Sequence, residues 1–360
     1  MTPTLPPGSL EELIDAVKST PRLIAVGGGT KPRLSAVDAA KLSTLRLSGI
    51  IEYEPSEFTF TALAGTPVRE IEATLANRGQ FLPFDPMLVQ AGGTLGGTVA
   101  SGLSGPGRFR FGGVRDFILG VRFVDGAGRL LRMGGKVVKN AAGFDLPKFF
   151  VGSLGRFGVL AEITFKVFPR PATELTLKLP AVSAEAATQV FVHGANNRWE
   201  LAAIDLLPDR ESILLRLAGP ALALDEISRE ILARWPGEAL NDSAAKAAWG
   251  ELREFGWIHA GGPLIKIALA PSIWPKLEQS LKAIAGAKVH VSAGGNLAFV
   301  SLPSASQAND LDLVLRQLNL SGMTFRGEGP LWLGLRRRPA IESAVKLALD
   351  AENRFPMLDE

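Results

Sequence analysis

The amino-acid sequence predicts an α+β protein of two domains, one covering residues 1–172 and the other residues 173–360. Its 360 residues exceed the ~250–300 residues that a single hydrophobic core usually fills. Glycine is concentrated in residues 21–160, which hold 24 of the 39 glycines and therefore predict many turns there. Two prolines follow the strand-like residues 158–167, where they end strand pairing and mark the boundary between the domains.

The first domain is predicted to alternate helices with short strands. Ser9 begins the first helix, because Glu12 completes a capping box just before an apolar stripe. Residues 22–26 form an apolar strand, and a second helix starts after Pro67. Residues 117–133 form a hairpin that turns at an Asp-Gly pair.

The second domain is predicted to contain one structural pattern twice. Residues 175–234 and residues 264–318 each have the order strand–helix–strand–strand–helix, which is the ferredoxin-like theme. A further helix is predicted over residues 341–352. The pattern indicates an antiparallel sheet with helices on one face, which is suited to covering the first domain.

The composition excludes several kinds of site. The chain has no cysteine, so it holds no disulfide, thiolate zinc site or iron–sulfur cluster of its own. Its three histidines, His193, His259 and His290, are far apart in the sequence, so no metal site is expected. A net charge of +3 is too small to indicate nucleic-acid binding.

No targeting or membrane-spanning segment is expected. Residues 1–13 lack the basic start and the apolar run of a signal peptide. The uncharged residues 86–107 include seven glycines and two prolines, which do not suit a helix that spans a bilayer. We therefore expect a soluble, cytoplasmic protein.

The two predicted domains also differ in net charge. Residues 1–172 carry 20 Lys and Arg against 14 Asp and Glu, whereas residues 173–360 carry 19 against 22. A glycine-dense, positive half indicates main chain that approaches an anionic ligand closely. A loop-rich β domain that needs many turns is the alternative interpretation of the glycine count.

The first glycine loop is Val26-Gly27-Gly28-Gly29-Thr30-Lys31, directly after the first strand. The dinucleotide fingerprint G-x-G-x-x-G fails here because Pro32 stands at the sixth position. The P-loop pattern also fails, because Thr30 rather than glycine precedes Lys31. The loop is instead predicted to be a nest of main-chain N–H groups that binds phosphate oxygens.

A second glycine loop covers residues 91–100. Thr94 is predicted to cap a short helix, and Gly96 and Gly97 leave the first turn of that helix bare. The start of a helix offers unpaired N–H groups and partial positive charge to an anion. Two such loops suit a diphosphate better than a single phosphate.

Seven motifs in order resemble the flavin domain of the vanillyl-alcohol oxidase / p-cresol methylhydroxylase (PCMH-type) family. They are V-G-G-G-T, F-D-P-M, G-G-T-L-G-G, G-L-S-G-P, V-R-D-F-I-L-G-V, K-N-A-A-G-F-D-L and V-G-S-L-G-R-F-G-V-L-A-E-I-T. Within that family, residues 92–171 are similar to the FAD-binding E subunits of bacterial glycolate oxidase (glycolate dehydrogenase). The resemblance implies a PCMH-type FAD-binding domain over residues 1–172 and an FAD-linked oxidase C-terminal (cap) domain with a tail helix over residues 173–360.

The resemblance also implies which residues bind FAD. In this fold FAD lies extended between two α+β subdomains, with its isoalloxazine ring facing the cap domain. The implied contacts are Val26, Gly27, Gly28, Gly29, Thr30, Lys31, Pro86, Met87, Gly92, Gly93, Thr94, Gly96, Gly97, Ser101, Gly102, Arg115, Asn140, Gly143, Gly152, Ser153, Val159 and Leu160.

The chain departs from the family pattern at three places and lacks most residues that could attach a flavin. Ser101 stands where many members have Asn, Phe144 stands where Tyr is common, and residues 350–356 shorten a C-terminal motif. Covalent attachment uses His, Cys or Tyr, yet no cysteine is present, no histidine precedes residue 193 and Tyr53 is the one tyrosine. We therefore predict that FAD is bound noncovalently.

Candidate catalytic residues come from the second domain. Flavin oxidation of a 2-hydroxy acid needs a cation for the carboxylate and a base for the hydroxyl proton. His259 in a glycine-rich loop is the candidate base, with a structural role as the alternative, while the strand around His290 predicts a solvent-facing side chain. Arg326 is the candidate for the carboxylate; the run Arg336-Arg337-Arg338 favours a solvated face or a docking patch.

The sequence thus predicts an FAD-binding subunit of a glycolate (2-hydroxy acid) dehydrogenase complex that oxidises glycolate to glyoxylate. The resemblance implies a sister flavoprotein subunit and an iron–sulfur subunit as partners, and through them a place at the inner face of the membrane. Two alternatives stay open. The chain is an FAD-holding structural or electron-relay subunit, or a stand-alone FAD oxidoreductase for another substrate, such as an enolpyruvyl sugar reductase.

Overall fold

A computed structural model describes residues 4–135, 145–336 and 340–360. Contacts between residues divide the described chain into two units, which we treat separately. Unit 1 comprises the described residues of segments 1–104, 113–170 and 337–360. Unit 2 comprises segments 105–112 and 171–336.

Strands and helices are numbered in chain order. The strands are β1 (Thr4–Leu5), β2 (Leu23–Val26), β3 (Ala40–Ser43), β4 (Ile50–Glu54), β5 (Thr59–Leu63), β6 (Gln80–Phe81), β7 (Ile118–Val124), β8 (Leu130–Gly134), β9 (Val159–Lys166), β10 (Phe168–Pro169), β11 (Thr173–Pro180), β12 (Ala203–Leu206), β13 (Ser212–Gly219), β14 (Glu238–Leu240), β15 (Leu264–Ala268), β16 (Lys288–Ser292), β17 (Leu297–Ser301), β18 (Ser321–Arg326) and β19 (Trp332–Gly334). The helices are α1 (Leu10–Ser19), α2 (Val68–Ala76), α3 (Leu95–Ser101), α4 (Arg108–Phe111), α5 (Leu146–Phe149), α6 (Ala184–Asn196), α7 (Ala221–Arg234), α8 (Asp242–Glu254), α9 (Trp274–Leu281), α10 (Ala308–Gln317) and α11 (Ala340–Leu349). Within these described residues no helix is both long and apolar enough to cross a bilayer.

Unit 1 contains a small parallel sheet and a larger antiparallel sheet. The parallel sheet has the order β1-β3-β2, and the antiparallel sheet has the order β4-β5-β9-β7-β8. The predicted capping box begins α1, since the Glu12 N–H donates to Ser9 Oγ at 3.1 Å. The apolar stripe of α1 then buries Leu13 and Val17 in a core that includes Phe355. The predicted hairpin corresponds to β7 and β8, which pair antiparallel.

Unit 2 is built on an antiparallel sheet of the order β14-β11-β13-β12-β16-β17-β15-β18-β19. The predicted pattern is confirmed, with β11-α6-β12-β13-α7 as its first copy and β15-α9-β16-β17-α10 as its second. All four of these helices pack their apolar residues into one cluster with alternate strand residues of the sheet. The two copies meet where β12 pairs with β16 through one residue pair, Leu206 with Val291.

The expectation that helices cover one face of the sheet is wrong for α8. The indole N–H of Trp249 on this helix donates to Thr176 Oγ1 at 3.0 Å, and the Arg216 guanidinium lies over the Trp249 ring. Thr176 alternates along β11 with Leu175 and Leu177, which face the other four helices. The sequence pattern missed α8 because this helix is rich in alanine and charge and buries only Trp249 and Leu252 of its own residues.

The C-terminal segment lies in unit 1, although the sequence assigns all residues after 172 to the second domain. The Leu23 N–H donates to the Arg354 carbonyl at 2.9 Å, and the Gly126 N–H donates to the Leu349 carbonyl at 2.7 Å. Phe355 is fully buried in the core of unit 1. The segment after α11 is therefore part of the first unit's packing.

Candidate functional site

An open cavity lies within unit 1; about 760 Å³ of empty space belongs to it when the solvent at its mouth is included. Three separate stretches of chain line it: the loop after β2, the start of α3 and the loop before β9. The sequence-predicted residues that line the cavity are Val26, Gly27, Gly28, Gly29, Thr30, Lys31, Thr94, Gly96, Gly97, Ser101, Ser153 and Leu160.

The first two glycines of the loop after β2 let two loops touch. A Cβ atom at Gly27 would overlap Thr94 Oγ1, and one at Gly28 would overlap the Gly92 carbonyl oxygen. Gly29 differs, because it has a φ of +66° and a Cβ there would meet no atom within 4 Å. The bare main chain at Gly29 therefore faces open space, whereas Gly27 and Gly28 are needed for packing between the loops.

The start of α3 lies beside a cation at the cavity, Lys31 of the loop after β2. Thr94 caps this helix as predicted, since its Oγ1 accepts from the Gly97 N–H at 3.3 Å. A Cβ at Gly97 would lie 3.1 Å from Thr94 Oγ1 and 4.0 Å from Lys31 Nζ. The Lys31 ammonium thus lies beside the first turn of α3, and it also donates to Thr30 Oγ1 at 3.0 Å.

The loop before β9 is tied to the end of α3. The Gly152 N–H donates to the Val99 carbonyl at 3.0 Å, and the Leu154 N–H donates to the Ala100 carbonyl at 2.9 Å. Leu154 and Gly155 both have positive φ values, of 54° and 73°. These bonds hold the left-handed turn at the cavity wall, where side chains other than glycine cost strain.

Several predicted FAD contacts do not line the cavity. Met87 is 2% exposed and Val159 fully buried, so both are core residues, while Arg115 is exposed on the surface of the unit. Asn140 and Gly143 lie outside the described residues, as does Phe144. Their roles stay predictions, together with those of Pro86, Met87, Gly92, Gly93, Gly102, Arg115, Gly152 and Val159.

Sequence reasoning missed residues that reach the cavity from neighbouring elements. Thr44 arrives there because β3 pairs with β2, so that the Thr44 N–H donates to the Val26 carbonyl at 2.9 Å. No local motif marks such residues, because only strand pairing brings them to the site. The other lining residues outside the predicted set are Ala25, Leu34, Ser35, Ala64, Leu154, Gly155 and Gly158, whereas Ala100 belongs to the second glycine loop.

The cavity wall is backed by positive charge. Burial lowers the pKa of Arg156 to about 10, and the nearby cations Arg33 and Arg22 lower it while Glu360 raises it. Burial also lowers the pKa of Arg33. Both groups stay protonated at neutral pH, so with Lys31 they favour an anion in the cavity. Bare main chain plus cations fits the diphosphate of a dinucleotide.

His259, in the loop before β15, and His290, on β16, are both held by hydrogen bonds. The ring nitrogen Nε2 of His259 bonds to the Gly286 carbonyl at 2.8 Å, and the main-chain N–H of His259 donates to Ser301 Oγ at 3.0 Å. His290 is fully buried, so the expected solvent-facing position is wrong. Its Nε2 lies 2.8 Å from Asp205 Oδ2, a carboxylate whose burial requires such donors.

Burial lowers the pKa of two cations of unit 2, Arg326 and Lys266. Burial lowers the pKa of Arg326, while Glu254 raises it. Burial, with the nearby Arg108 charge, lowers the pKa of Lys266 to about 8. Lys266 lies on β15 between Phe299 of β17 and Met323 of β18. No sequence pattern marks Lys266, because a single lysine in an apolar strand looks the same as a lysine at the edge of a sheet.

Lys266 predicts a pH dependence of stability. Its folded pKa of about 8 lies below its ordinary value of 10.5, so the folded state releases this proton first. Stability rises with pH wherever the unfolded state binds more protons, so the penalty present below pH 8 disappears as pH approaches 10.5. Methionine at position 266 carries no charge, so Lys266→Met should have a higher unfolding free energy than wild type below pH 8. This difference should shrink as the pH rises from 8 towards 10.5. Urea titrations of both proteins at several pH values measure it; a constant difference contradicts the prediction.

Several known proteins are similar to this chain in sequence. Residues 4–134 match the family model described as FAD binding domain. The glycolate oxidase subunit GlcE of Escherichia coli (strain K12) is 36% identical over 75% of this chain and 74% of its own length. A D-2-hydroxyglutarate dehydrogenase of Xanthomonas citri pv. viticola is 28% identical over 78% of this chain and 61% of its own length.

A solved structure has the same fold. An alkyldihydroxyacetonephosphate synthase superposes with a TM-score of 0.71 at 16% identity, over 98% of this chain and 76% of the other. At that identity the match concerns the fold alone, and it confirms the predicted PCMH-type architecture. Together with the sequence match to GlcE, it accounts for the glycine-lined cavity. The chain therefore belongs to the GlcE family of glycolate oxidase subunits, and its cofactor is FAD.

Proposed function

We propose that this chain is the FAD-binding subunit of a complex that oxidises glycolate, or a closely similar 2-hydroxy acid, to the 2-oxo acid. The observation that carries the proposal is the cavity of unit 1, which is lined by open main chain at Gly29 and by the first turn of α3 with the Lys31 ammonium beside it. The similarity to a glycolate oxidase subunit and to a 2-hydroxy acid dehydrogenase supports the substrate class.

In this proposal, different residues at the cavity bind different parts of the FAD site. Lys31 and the N–H groups around Gly29 bind the diphosphate, and the left-handed turn at Leu154 and Gly155 closes the wall beside it. When bound, FAD supplies a two-electron acceptor for the hydrogen on the substrate's hydroxyl-bearing carbon. The binding is noncovalent in this proposal, because no cysteine is present and all three histidines lie in unit 2. The single tyrosine, Tyr53, donates its hydroxyl to Gln80 Oε1 at 2.8 Å and does not line the cavity.

The substrate would be held by side chains of unit 2. Arg326 is the proposed partner for the substrate carboxylate, since a guanidinium binds a carboxylate in a bidentate fashion. His259 is the proposed base for the hydroxyl proton, with its Nε2 engaged by the Gly286 carbonyl and Nδ1 left to act.

His259→Ala tests the base directly. We expect unchanged flavin content and turnover lowered by about 100-fold or more, because general bases contribute 10²–10⁴-fold. Flavin absorbance and steady-state oxidation of glycolate measure the two quantities in the assembled complex. Normal turnover in this variant means that His259 holds the Gly286 loop and has no part in the chemistry.

The proposed partners are a sister flavoprotein subunit and an iron–sulfur subunit. A chain without cysteine cannot ligate a cluster through thiolates, so electrons must leave its flavin for another protein or a diffusible acceptor. The subunit name of the E. coli relative supports an assembly of several chains. We place that assembly in the cytoplasm, at the inner face of the membrane.

A relay subunit without substrate chemistry is the second candidate. It is favoured by the hydrogen bonds that hold both His259 and His290 to other groups. Anaerobic addition of glycolate to the purified chain and to the complex separates the two functions. Bleaching of the flavin in the chain alone supports its own substrate site, and bleaching only in the complex supports the relay. Bleaching in neither contradicts both.

A further inference from the structure

Arg156 is a fully buried cation behind the cavity wall of unit 1. Its Nη2 donates to the Leu34 carbonyl at 3.0 Å, and its Nη1 donates to the Leu154 carbonyl at 3.2 Å. Leu34 and Leu154 both line the cavity, yet they are 120 residues apart in sequence. One guanidinium therefore joins two separate walls of the cavity.

The C-terminal segment fixes the main chain of Arg156. Lys346 Nζ on α11 donates to the Arg156 carbonyl at 2.8 Å and to Asp350 Oδ2 at 2.6 Å. The same ammonium donates to the Phe355 carbonyl at 2.8 Å. Arg156 is thus held from behind by the tail of the chain and reaches forward to both walls.

No direct carboxylate partner explains the burial of Arg156. The nearby Glu360 carboxylate raises the pKa of Arg156 but is paired with Arg22; among the residues that the structure describes, the Arg156 guanidinium donates to carbonyl oxygens and forms no ion pair. A buried charge without a paired carboxylate costs folding free energy, so another role must account for it. The fork of the guanidinium reaches two acceptors in different directions, which a lysine ammonium on one flexible stem does not reproduce.

We propose that Arg156 is a positioning residue for the cofactor, which sets the spacing of the two cavity walls and in turn is set by the C-terminal segment. This inference rests on the proposed place of FAD in the cavity of unit 1. It assigns the tail a part in FAD retention, through Lys346 and the Arg156 carbonyl, without any contact between the tail and FAD.

The variant Arg156→Lys separates wall spacing from charge. It keeps the positive charge but loses the two-directional reach, so we expect the Kd for FAD to rise at least about 10-fold. Arg156→Gln should weaken binding to a similar or greater extent. A Kd for Arg156→Lys within twofold of the wild-type value overturns the proposal, because charge alone would then suffice.

The matched control is Arg210→Lys in unit 2. Arg210 also donates to a main-chain carbonyl, that of Ala287, and pairs with Glu278 at 3.2 Å, far from any cavity residue in sequence. Its substitution should leave the Kd for FAD unchanged. Equal losses in Arg210→Lys and Arg156→Lys mean a general effect of destabilisation and overturn the specific role.

The measurement is titration of each apoprotein with FAD, followed by flavin fluorescence, well below the melting temperature. If Arg156→Lys does not fold without FAD, the rate at which the FAD-loaded variant releases flavin after dilution replaces the titration. A release rate equal to that of wild type again overturns the proposal. If Gly97→Leu, which fills the cavity, retains FAD, the proposed site fails; if only Arg156→Lys retains it, the positioning role alone fails.

Discussion

Gly97→Leu yields a folded protein that no longer retains FAD. Gly97 lies in the first turn of α3 and lines the cavity, where its missing side chain leaves room next to Lys31 Nζ. A leucine there projects into the space that the diphosphate needs. We expect the affinity for FAD to fall at least about 100-fold, or roughly 2.8 kcal/mol.

The fold should tolerate this change. Leucine has a better helix propensity than glycine by about 0.8 kcal/mol. The nearest atom to the new Cβ is the tip of the Thr94 side chain, at 3.1 Å. Flavin absorbance after gel filtration and the far-ultraviolet circular dichroism of the apoprotein measure retention and folding. A folded, yellow Gly97→Leu protein places FAD elsewhere.

Gly250→Leu is the control for Gly97→Leu. Gly250 is also a half-buried helical glycine, on α8 of unit 2, and a Cβ there would meet no atom within 4 Å. The same substitution therefore adds the same side chain to a helix that has no part in the cavity. This variant should keep its full flavin content.

Lys346→Met removes about 3–5 kcal/mol from the unfolding free energy of unit 1. Lys346 is 8% exposed and Asp350 2%, and their side chains meet at 2.6 Å. Burial lowers the pKa of Lys346, while the Asp350 carboxylate raises it. Methionine fills the space but leaves the Asp350 carboxylate buried without its cation, which is the costly part.

Lys282→Met is the control for Lys346→Met, because it removes a lysine from an ion pair on the protein surface. Lys282 also pairs with an acid four residues away, Glu278, but at 3.8 Å and with 69% of its side chain exposed. Such a surface pair contributes about 0–1 kcal/mol. The spectroscopic signals separate the units, because all six tryptophans of the chain lie in segment 171–336 of unit 2. Lys346→Met should lower the midpoint of the flavin-release transition and leave the midpoint of the tryptophan transition unchanged. Lys282→Met should change neither midpoint by much. A flavin-release midpoint that falls equally in the two variants contradicts the prediction.

The sequence predicted elements that carry their own local signal. The Ser9 capping box, the α3 cap at Thr94 and the doubled pattern of unit 2 depend on spacing within one segment, and all three occur. The position of α11 in unit 1 and of α8 on the second face of the unit 2 sheet depend on distant partners. Periodicity within a helix shows that one face is buried, but it does not name the surface that covers it.

The same limit applies to the site. Glycines at 27, 28 and 29 look equivalent in the sequence, yet only Gly29 presents open main chain, because the other two accept a neighbouring loop at close range. Arg156 was part of a recognised motif without being given a role, since its acceptor at Leu34 is far away in the chain. Residue type and spacing predicted the kind of ligand, and long-range contacts decide which residues hold it.

The meeting point of β12 and β16 gives unit 2 an internal two-fold relation. Asp205 and His290 are 85 residues apart, the same offset that relates the starts of β13 and β17 at Ser212 and Leu297, so they occupy equivalent positions in the two copies. Two identical segments related by a two-fold axis would present one residue type twice at this position, two carboxylates or two imidazoles. An acid paired with a base therefore requires that the two copies differ in sequence here, which two segments of one polypeptide can do and two copies of one chain cannot.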